Sequence, residues 1–368
     1  MPKAARRKRH HKPPFVPYAR GFKTPTHKQS AAALGSPPPG TRDFMLGVGF
    51  FTAVPRPICP NDWLAQYSED GQSYADFLAS CPWLSGPRWK VPRSQPFDPA
   101  GAGLPGRYPG AAIYLAGLGD FSKQAETVAV NPRMSELMDF AGAFFCVPMR
   151  ELTGLRLDVG RGKAALIPAP GSRIRVQEIR CRFHRGSGRT QLHAPSLLKA
   201  LVRALPHDAI CLMALTTHDL FDGEGDLFVA GMAAGASRVG TFSLARYDPA
   251  VSFSPEHWHG VTLDASAPAE ARRETILRRA CKLMAHEVGH LLGLEHCVWH
   301  ACLMNGSGHL EEDDRQPMAL CPVDLRKLQA LGGFDVPGRY KRLLAVMKNL
   351  GMRAEASWVG RRLEFLEG

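Results

Sequence analysis

The first 42 residues contain no aspartate or glutamate, yet they hold ten of the 46 lysines and arginines in this 368-residue chain. Without those ten, 36 basic residues face 34 acidic ones, so the formal net charge of +12 shrinks to +2 for the remainder. The basicity belongs to an N-terminal arm and says little about the folded part. Long apolar runs are also missing. None approaches the roughly 18–20 residues of a membrane-crossing helix, and no apolar core follows the charged start, as a secretory signal requires. Pro13, Pro14, Pro17 and Pro25 interrupt any amphipathic transit helix. Grouped cysteines are scarce: nine is an odd number, and Cys59, Cys81, Cys146, Cys181, Cys211 and Cys281 stand apart from one another. A chain of this length buries a core without covalent staples. With no export signal, the expected compartment is reducing, cytoplasmic or nuclear ahead of mitochondrial. No repeat at solenoid periods is visible. Charged residues at 22% and aromatics at 8% exclude wholesale disorder.

Residues 1–42, rich in Pro, Ser and Ala and without hydrophobic periodicity, read as a disordered basic tail. Residues 43–108 read as an accessory segment and linker, 109–350 as the main domain, and 351–368 as a C-terminal tail. Within the main domain, Ala111–Ala116 has the length of a short buried strand. Met134–Phe145 repeats apolar residues at helical spacing. Ile174–Phe183 alternates imperfectly, as a half-exposed strand does. Ser196–Leu205 suits a helix begun by Pro195, and Ala209–Leu215 a fully buried strand. Val239–Tyr247 is a further strand, and Arg272–Leu292 a long helix whose stripe is Ile276, Leu277, Ala280, Leu283, Met284 and Leu291. Strands alternating with helices and closed by one long helix predict an α/β layer sandwich.

The long helix carries His286-Glu287-Val288-Gly289-His290. A four-residue step returns two imidazoles to nearly one face, one turn apart, where both reach a single ion. Glu287 is angled aside and reaches a water on that ion instead of the ion itself. Gly293 follows three residues later and His296 three after that, giving HEVGHLLGLEH. A third ligand so close demands that the helix stop and the chain reverse, which a glycine at positive φ allows. Three histidines leave one zinc position for water, the pattern of a catalytic and not a closed structural site.

This pattern resembles the metzincin zinc motif, with Met304 in CLMNGS similar to the methionine of the turn beneath the metal. His296 is followed by Cys297, then Cys302 and Cys321, a combination that resembles the archaemetzincins (archaelysins), which carry a second, structural zinc held by four cysteines. The segments DWLAQYSEDGQSYADFL at 62–78, LTTHDLF at 215–221, FSLARY at 242–247 and LCP…LRKLQ…GF at 320–334 are similar to eukaryotic members, over about residues 45–350. The resemblance implies a metzincin-like α/β zinc-peptidase domain with a mixed twisted sheet, a long active-site helix and a small C-terminal subdomain. It implies Zn2+ at His286, His290 and His296, Glu287 as the proton carrier, Gly293 and Met304 in support, and a second Zn2+ at Cys297, Cys302 and Cys321. It also implies that the strand at Val239–Tyr247 lines the cleft and takes a peptide as an extended strand along 239–247. The family's fourth cysteine would stand at 324, where this chain has Asp324. A carboxylate can ligate zinc; an aspartate in the first turn after Cys321-Pro322 equally suits a helix N-terminus. Both readings stay open, with His300 a lesser substitute.

The function expected is therefore zinc-dependent hydrolysis of peptide bonds. The alternative is a zinc-binding scaffold with little or no activity. No membrane partner is expected. The run Arg6–Lys12 could make weak phosphate contacts or serve as a nuclear import signal, but the rest of the chain shows no nucleic-acid module, so the tail is read as a solvated arm. Asp219, Asp222, Glu224 and Asp226 have the look of a calcium loop, but Ala233 occupies the twelfth position where a bidentate Glu is needed. Glu311–Asp314 reads as an exposed acidic turn.

Overall fold

The structure is a computed structural model that describes residues 22–84, 88–119, 131–160, 162–185, 188–249 and 268–368. Its strands are β1 Ala112–Leu118, β2 Met149–Glu151, β3 Leu155–Gly160, β4 Lys163–Pro168, β5 Gln177–Ile179, β6 Cys181–His184, β7 Arg189–His193, β8 Ala209–Thr216, β9 Asp219–Phe221, β10 Gly231–Ala234 and β11 Val239–Ser243. The helices are α1 His27–Leu34, α2 Trp63–Gln66, α3 Tyr74–Ser80, α4 Gly103–Arg107, α5 Met134–Phe145, α6 Ala194–Leu201, α7 Ala269–Leu291, α8 Leu310–Arg315, α9 Pro322–Gly332, α10 Val336–Asn349 and α11 Arg353–Glu367. Among the described residues no helix is long and apolar enough to cross a membrane. The run Arg6–Lys12 lies outside the described residues.

The central sheet has the order β10-β11-β8-β1-β2, parallel except for the antiparallel pair β10–β11, and so is mixed. Strand β8 is buried along its whole length, which explains its unbroken apolar run: both faces are covered. Cys211, Met213 and Leu215 pack with α5 and α7 on one face, while Leu212 and Ala214 point the other way into a second core with α6, β3, β4 and β5. The period-two alternation of a strand sorts them. The expected strand at 174–183 divides instead into β5 and β6, which join two different three-stranded sheets, β3-β4-β5 and β6-β7-β9. The break falls at Arg180, whose N–H donates to Ser196 Oγ outside either ladder.

Three expectations need correction. First, residues 22–42 are not all tail: α1 is closed by a Thr26/Gln29 capping box and buries Ser30 and Ala33, and Arg326 donates to the carbonyls of Leu34 and Ser36. Basic, proline-rich composition outweighed a short local capping signal. Second, residues 351–368 contain α11, which buries Ala356, Val359, Arg362, Leu363 and Leu366. The Arg362 guanidinium donates to the carbonyls of Asp43, Met45 and Leu46. Third, Val239–Tyr247 is not the cleft edge. Only Val239–Ser243 is strand, and it is paired to β8 on one side and β10 on the other, so it has no ladder groups left for a peptide. The chain then turns, with Tyr247 N–H donating to Leu244 O at 3.0 Å. The outer strand is β10, which is only half buried and pairs with no further strand on its outer side among the described residues.

Candidate metal centre

Helix α7 packs on the central sheet and delivers His286 and His290 on consecutive turns, their ring centroids 4.6 Å apart. Its apolar stripe anchors it: Ile276, Ala280, Met284 and Val288 are all buried. The helix ends as the sequence demands. Leu291 is its last residue and Leu292 its C-cap, Gly293 adopts φ +97°, and Leu294 N–H returns to the Gly289 carbonyl at 3.0 Å. The reversal brings the His296 ring to 4.9 Å from His290 and 5.4 Å from His286.

Each of the three rings has its Nδ1 against an acceptor. His286 Nδ1 donates to Leu303 O at 2.9 Å, His290 Nδ1 to Leu294 O at 2.7 Å, and His296 Nδ1 to Glu69 Oε1 at 2.8 Å. This assigns the proton of each neutral ring to Nδ1 and leaves Nε2 as the lone-pair donor. The two helix histidines hold their Nε2 atoms 3.0 Å apart, and one ligand atom from each of the three rings lies within 4.8 Å of the others. Burial, with the nearby His296 charge, holds His286 down to about 3 in the metal-free protein. The site is thus a cluster of three imidazoles whose free nitrogens aim at one point, the donor set that suits zinc.

Glu287 turns away from the histidines toward the sheet edge. A Cβ placed on Gly231 of β10 would come within 2.6 Å of Glu287 Oε1, so the carboxylate lies directly against the outer strand. Met304 is fully buried below α7, close enough to Gly289 that a Cβ there would meet its Sδ at 2.7 Å. It forms an apolar floor between the two helix histidines.

The chain passes from His296 straight into a second cluster. Cys297, Cys302, Cys321 and Asp324 are buried, with one ligand atom from each within 4.8 Å of the others. Cys297 and Cys321 have their sulfurs 3.6 Å apart, and Asp324 Oδ2 lies 3.2 Å from Cys302 Sγ and 3.6 Å from Cys321 Sγ. Asp324 sits in the first turn of α9, where Cys321 is the N-cap with no side-chain cap bond. Its second oxygen takes a hydrogen bond from Lys327 Nζ at 2.8 Å, and both side chains are sealed from solvent. Burial and the negative charge of the Cys297 thiolate push the Asp324 carboxyl up to about 6 against the pull of Lys327. His300 is not among the clustered donors.

Further residues that carry no sequence motif complete the surroundings. Trp63 of α2 lies edge-on to His296 at 4.9 Å and stacks on Tyr67 at 4.1 Å. Burial raises the Glu69 carboxyl, but the hydrogen bond and charge of His296 more than offset this and leave it below its ordinary value. The acidic stretch 311–314 is not simply solvated: Asp313 and Asp314 pair with Lys282 and Arg279 of α7, and Glu312 Oε2 accepts from Trp63 N at 2.8 Å. A third group, Cys59, Asp62 and His309, also lies within 4.8 Å. There, however, His309 Nδ1 caps α8 by accepting from Glu312 N, so its proton is on Nε2, facing Asp62 Oδ1 at 2.8 Å. Arg315 reaches the same oxygen at 2.8 Å. This is a hydrogen-bonded clamp between the accessory segment and α8, with both ring nitrogens of His309 engaged. The acidic loop after β9 is likewise satisfied internally, with Asp219 paired to Arg246 and Glu224 to Arg180.

The model of peptidase family M54 matches residues 254–330. Human archaemetzincin-2 is 31% identical over 299 residues, covering 77% of this chain and 71% of that protein. Mouse archaemetzincin-2 is 38% identical over 183 residues, 46% of this chain and about half, 51%, of its own length. A crystal structure of archaemetzincin from Methanopyrus kandleri aligns with 61% of this chain and 98% of its own at 20% identity and a TM-score of 0.38, too loose a likeness to argue from. On the strength of that relationship to human archaemetzincin-2, which spans more than two thirds of both chains, this chain belongs to the archaemetzincin family of zinc metallopeptidases.

Proposed function

We propose that this chain hydrolyses peptide bonds at a zinc ion held by His286, His290 and His296, with Glu287 moving the proton. The observation that carries the reading is the convergence of three imidazoles whose Nδ1 atoms are all engaged elsewhere. Zinc bound there supplies Lewis acidity and a water acidified to near neutral pH. Glu287 accepts the proton of the attacking water and hands it to the leaving nitrogen. Strand β10 offers its outer ladder groups to an extended substrate, which pairs through the backbone and is little constrained by side-chain identity. The contact of Gly231 with Glu287 supports this reading, since a peptide paired there would run beside the proton carrier.

A second zinc is proposed at Cys297, Cys302, Cys321 and Asp324. Three soft thiolates and one carboxylate fit the ion, and Lys327 offsets part of the negative charge gathered there. The peptidase reading is tested by cleavage of a peptide library by the wild type and by Glu287→Ala. Loss of cleavage with retained zinc supports it. Equal activity in both, or no cleavage by a wild type that binds zinc, refutes it in favour of a scaffold.

A further inference from the structure

The three histidines are not supported alike. His286 and His290 are rigid parts of α7, and their Nδ1 atoms rest on carbonyls of Leu303 and Leu294, backbone that belongs to the same stretch of chain. His296 lies past the helix end, on the reversed strand, and no main-chain acceptor takes its Nδ1. Its partner is a carboxylate from a distant part of the sequence, Glu69, at 2.8 Å. The other oxygen of that carboxylate, Oε2, is buried, and the Trp63 side chain adds a hydrogen bond that helps hold the carboxyl down. A desolvated anionic oxygen there is costly unless positive charge lies close by, and an imidazole carrying a metal supplies it.

The segment that presents Glu69 is held on both sides of His296. Ahead of it, Trp63 N–H donates to Glu312 Oε2 at 2.8 Å, and Asp62 accepts from Ile58 N at 2.7 Å and from His309 and Arg315. Behind it, Gln72 Nε2 donates to the Gly293 carbonyl at 3.1 Å, and Trp299 Nε1 donates to Gln72 O at 3.1 Å. These contacts fall on residues that flank His296 in the chain, so the segment and the ligand loop are fastened together. Tyr67 and the Trp63 edge close over the ring.

We propose that Glu69 is the positioning residue of the third metal ligand, so that the accessory segment 61–72 is part of the metal centre. Glu69 fixes the His296 ring plane, keeps its proton on Nδ1 and makes Nε2 a stronger donor, the known effect of a carboxylate behind a metal-bound imidazole. It also brings one negative charge to a centre whose three ligands are neutral. The inference rests on the histidine zinc site proposed above.

The test is zinc affinity of the full chain by chelator competition, with the visible spectrum of the cobalt-substituted protein, for wild type, Glu69→Gln, Glu69→Ala and His290→Ala. His290→Ala marks which zinc belongs to the histidine site. The expected result is a loss of affinity at that site of roughly 10- to 100-fold for Glu69→Ala. Glu69→Gln, which keeps an acceptor and loses the charge, should fall between, and both should alter the cobalt bands. Thermal melts of the metal-free proteins serve as the control, since a merely structural role shifts the melt without changing affinity or bands. Unchanged affinity and bands in Glu69→Ala, or an affinity loss seen only alongside a collapsed metal-free melt in both variants, overturns the role of Glu69. A wild type with no zinc that His290→Ala removes overturns instead the histidine site itself.

Discussion

The close approach of Gly231 to Glu287 makes a sharp prediction. Gly231 lies in a strand and has no positive φ, so alanine there brings no backbone strain and slightly restricts the unfolded chain. The added Cβ would sit 2.6 Å from Glu287 Oε1 and 2.9 Å from both Cδ and Cγ. To regain even the near limit of ordinary contact at 3.4 Å, the carboxylate must retreat by 0.8 Å, the difference between 3.4 and 2.6. It is the far end of a flexible side chain, so it can retreat without disturbing the sheet. A misplacement of about 1 Å in a reacting group costs about 100-fold in rate, equivalent to about 2.7 kcal/mol of barrier. Gly231→Ala should therefore lower kcat/KM by between about 10- and 100-fold while Tm and zinc content stay at wild-type values. The assay is peptide hydrolysis under single-turnover conditions, with calorimetry and metal analysis of the same preparation. Full activity in Gly231→Ala would show that the carboxylate position seen here is not the working one. A loss that tracks lost zinc or lost fold would show that the clash is transmitted to the histidines instead.

Three further outcomes are expected. Asp324→Ala leaves Lys327 charged and sealed from solvent; breaking such a buried pair costs about 3–5 kcal/mol, and the zinc content should fall from two per chain toward one, so an unchanged zinc ratio in a folded variant would remove Asp324 from the second site. In the metal-free protein, His286 is held at about 3 against an ordinary 6.5, so below pH 6.5 the unfolded chain takes up a proton that the folded chain refuses. Stability then falls as pH drops from 6.5 toward 3, by up to about 1.4 kcal/mol per pH unit, and this contribution is flat above 6.5; urea midpoints of wild type and His286→Asn compared from pH 7 to 5 measure it, and parallel curves contradict it. Deleting residues 1–42 removes α1 and the Leu34 and Ser36 carbonyls that satisfy Arg326; two lost bonds to a mostly buried guanidinium cost about 2–4 kcal/mol, and an unshifted denaturation midpoint would show that α1 adds nothing.

What could be read from the sequence was what lies close together along it. HEVGHLLGLEH depends on helical spacing and one glycine, both local properties, and Gly293 does take the positive φ that the reversal needs. Helix α5 spans the residues that its apolar spacing marks out. Pairing partners are another matter. The alternation of Val239–Ser243 says that it is a strand but not how many neighbours it has, and the true outer strand, GMAA at 231–234, has almost no strand signal. Glu69 was inside a segment similar to eukaryotic archaemetzincins, yet nothing in SEDG marks one carboxylate as the partner of a histidine 227 residues away. The same holds for the Cys59, Asp62 and His309 clamp. In α1 a signal was present, the Thr26/Gln29 pair, and it was outweighed by the composition around it.

The joining of distant segments around His296 has a consequence for the order of events during synthesis. The 227 residues between Glu69 and His296 take on the order of 10–45 s to translate at ordinary speeds. Throughout that time Phe44, Phe77 and Trp83, all buried in the finished molecule, have no core to enter, since Trp83 donates to Leu291 O and Asp43 to Leu46 are gripped by Arg362. The beginning of this chain must therefore be sheltered until its end emerges. Glu69 thus waits on the emerged chain for the histidine it holds.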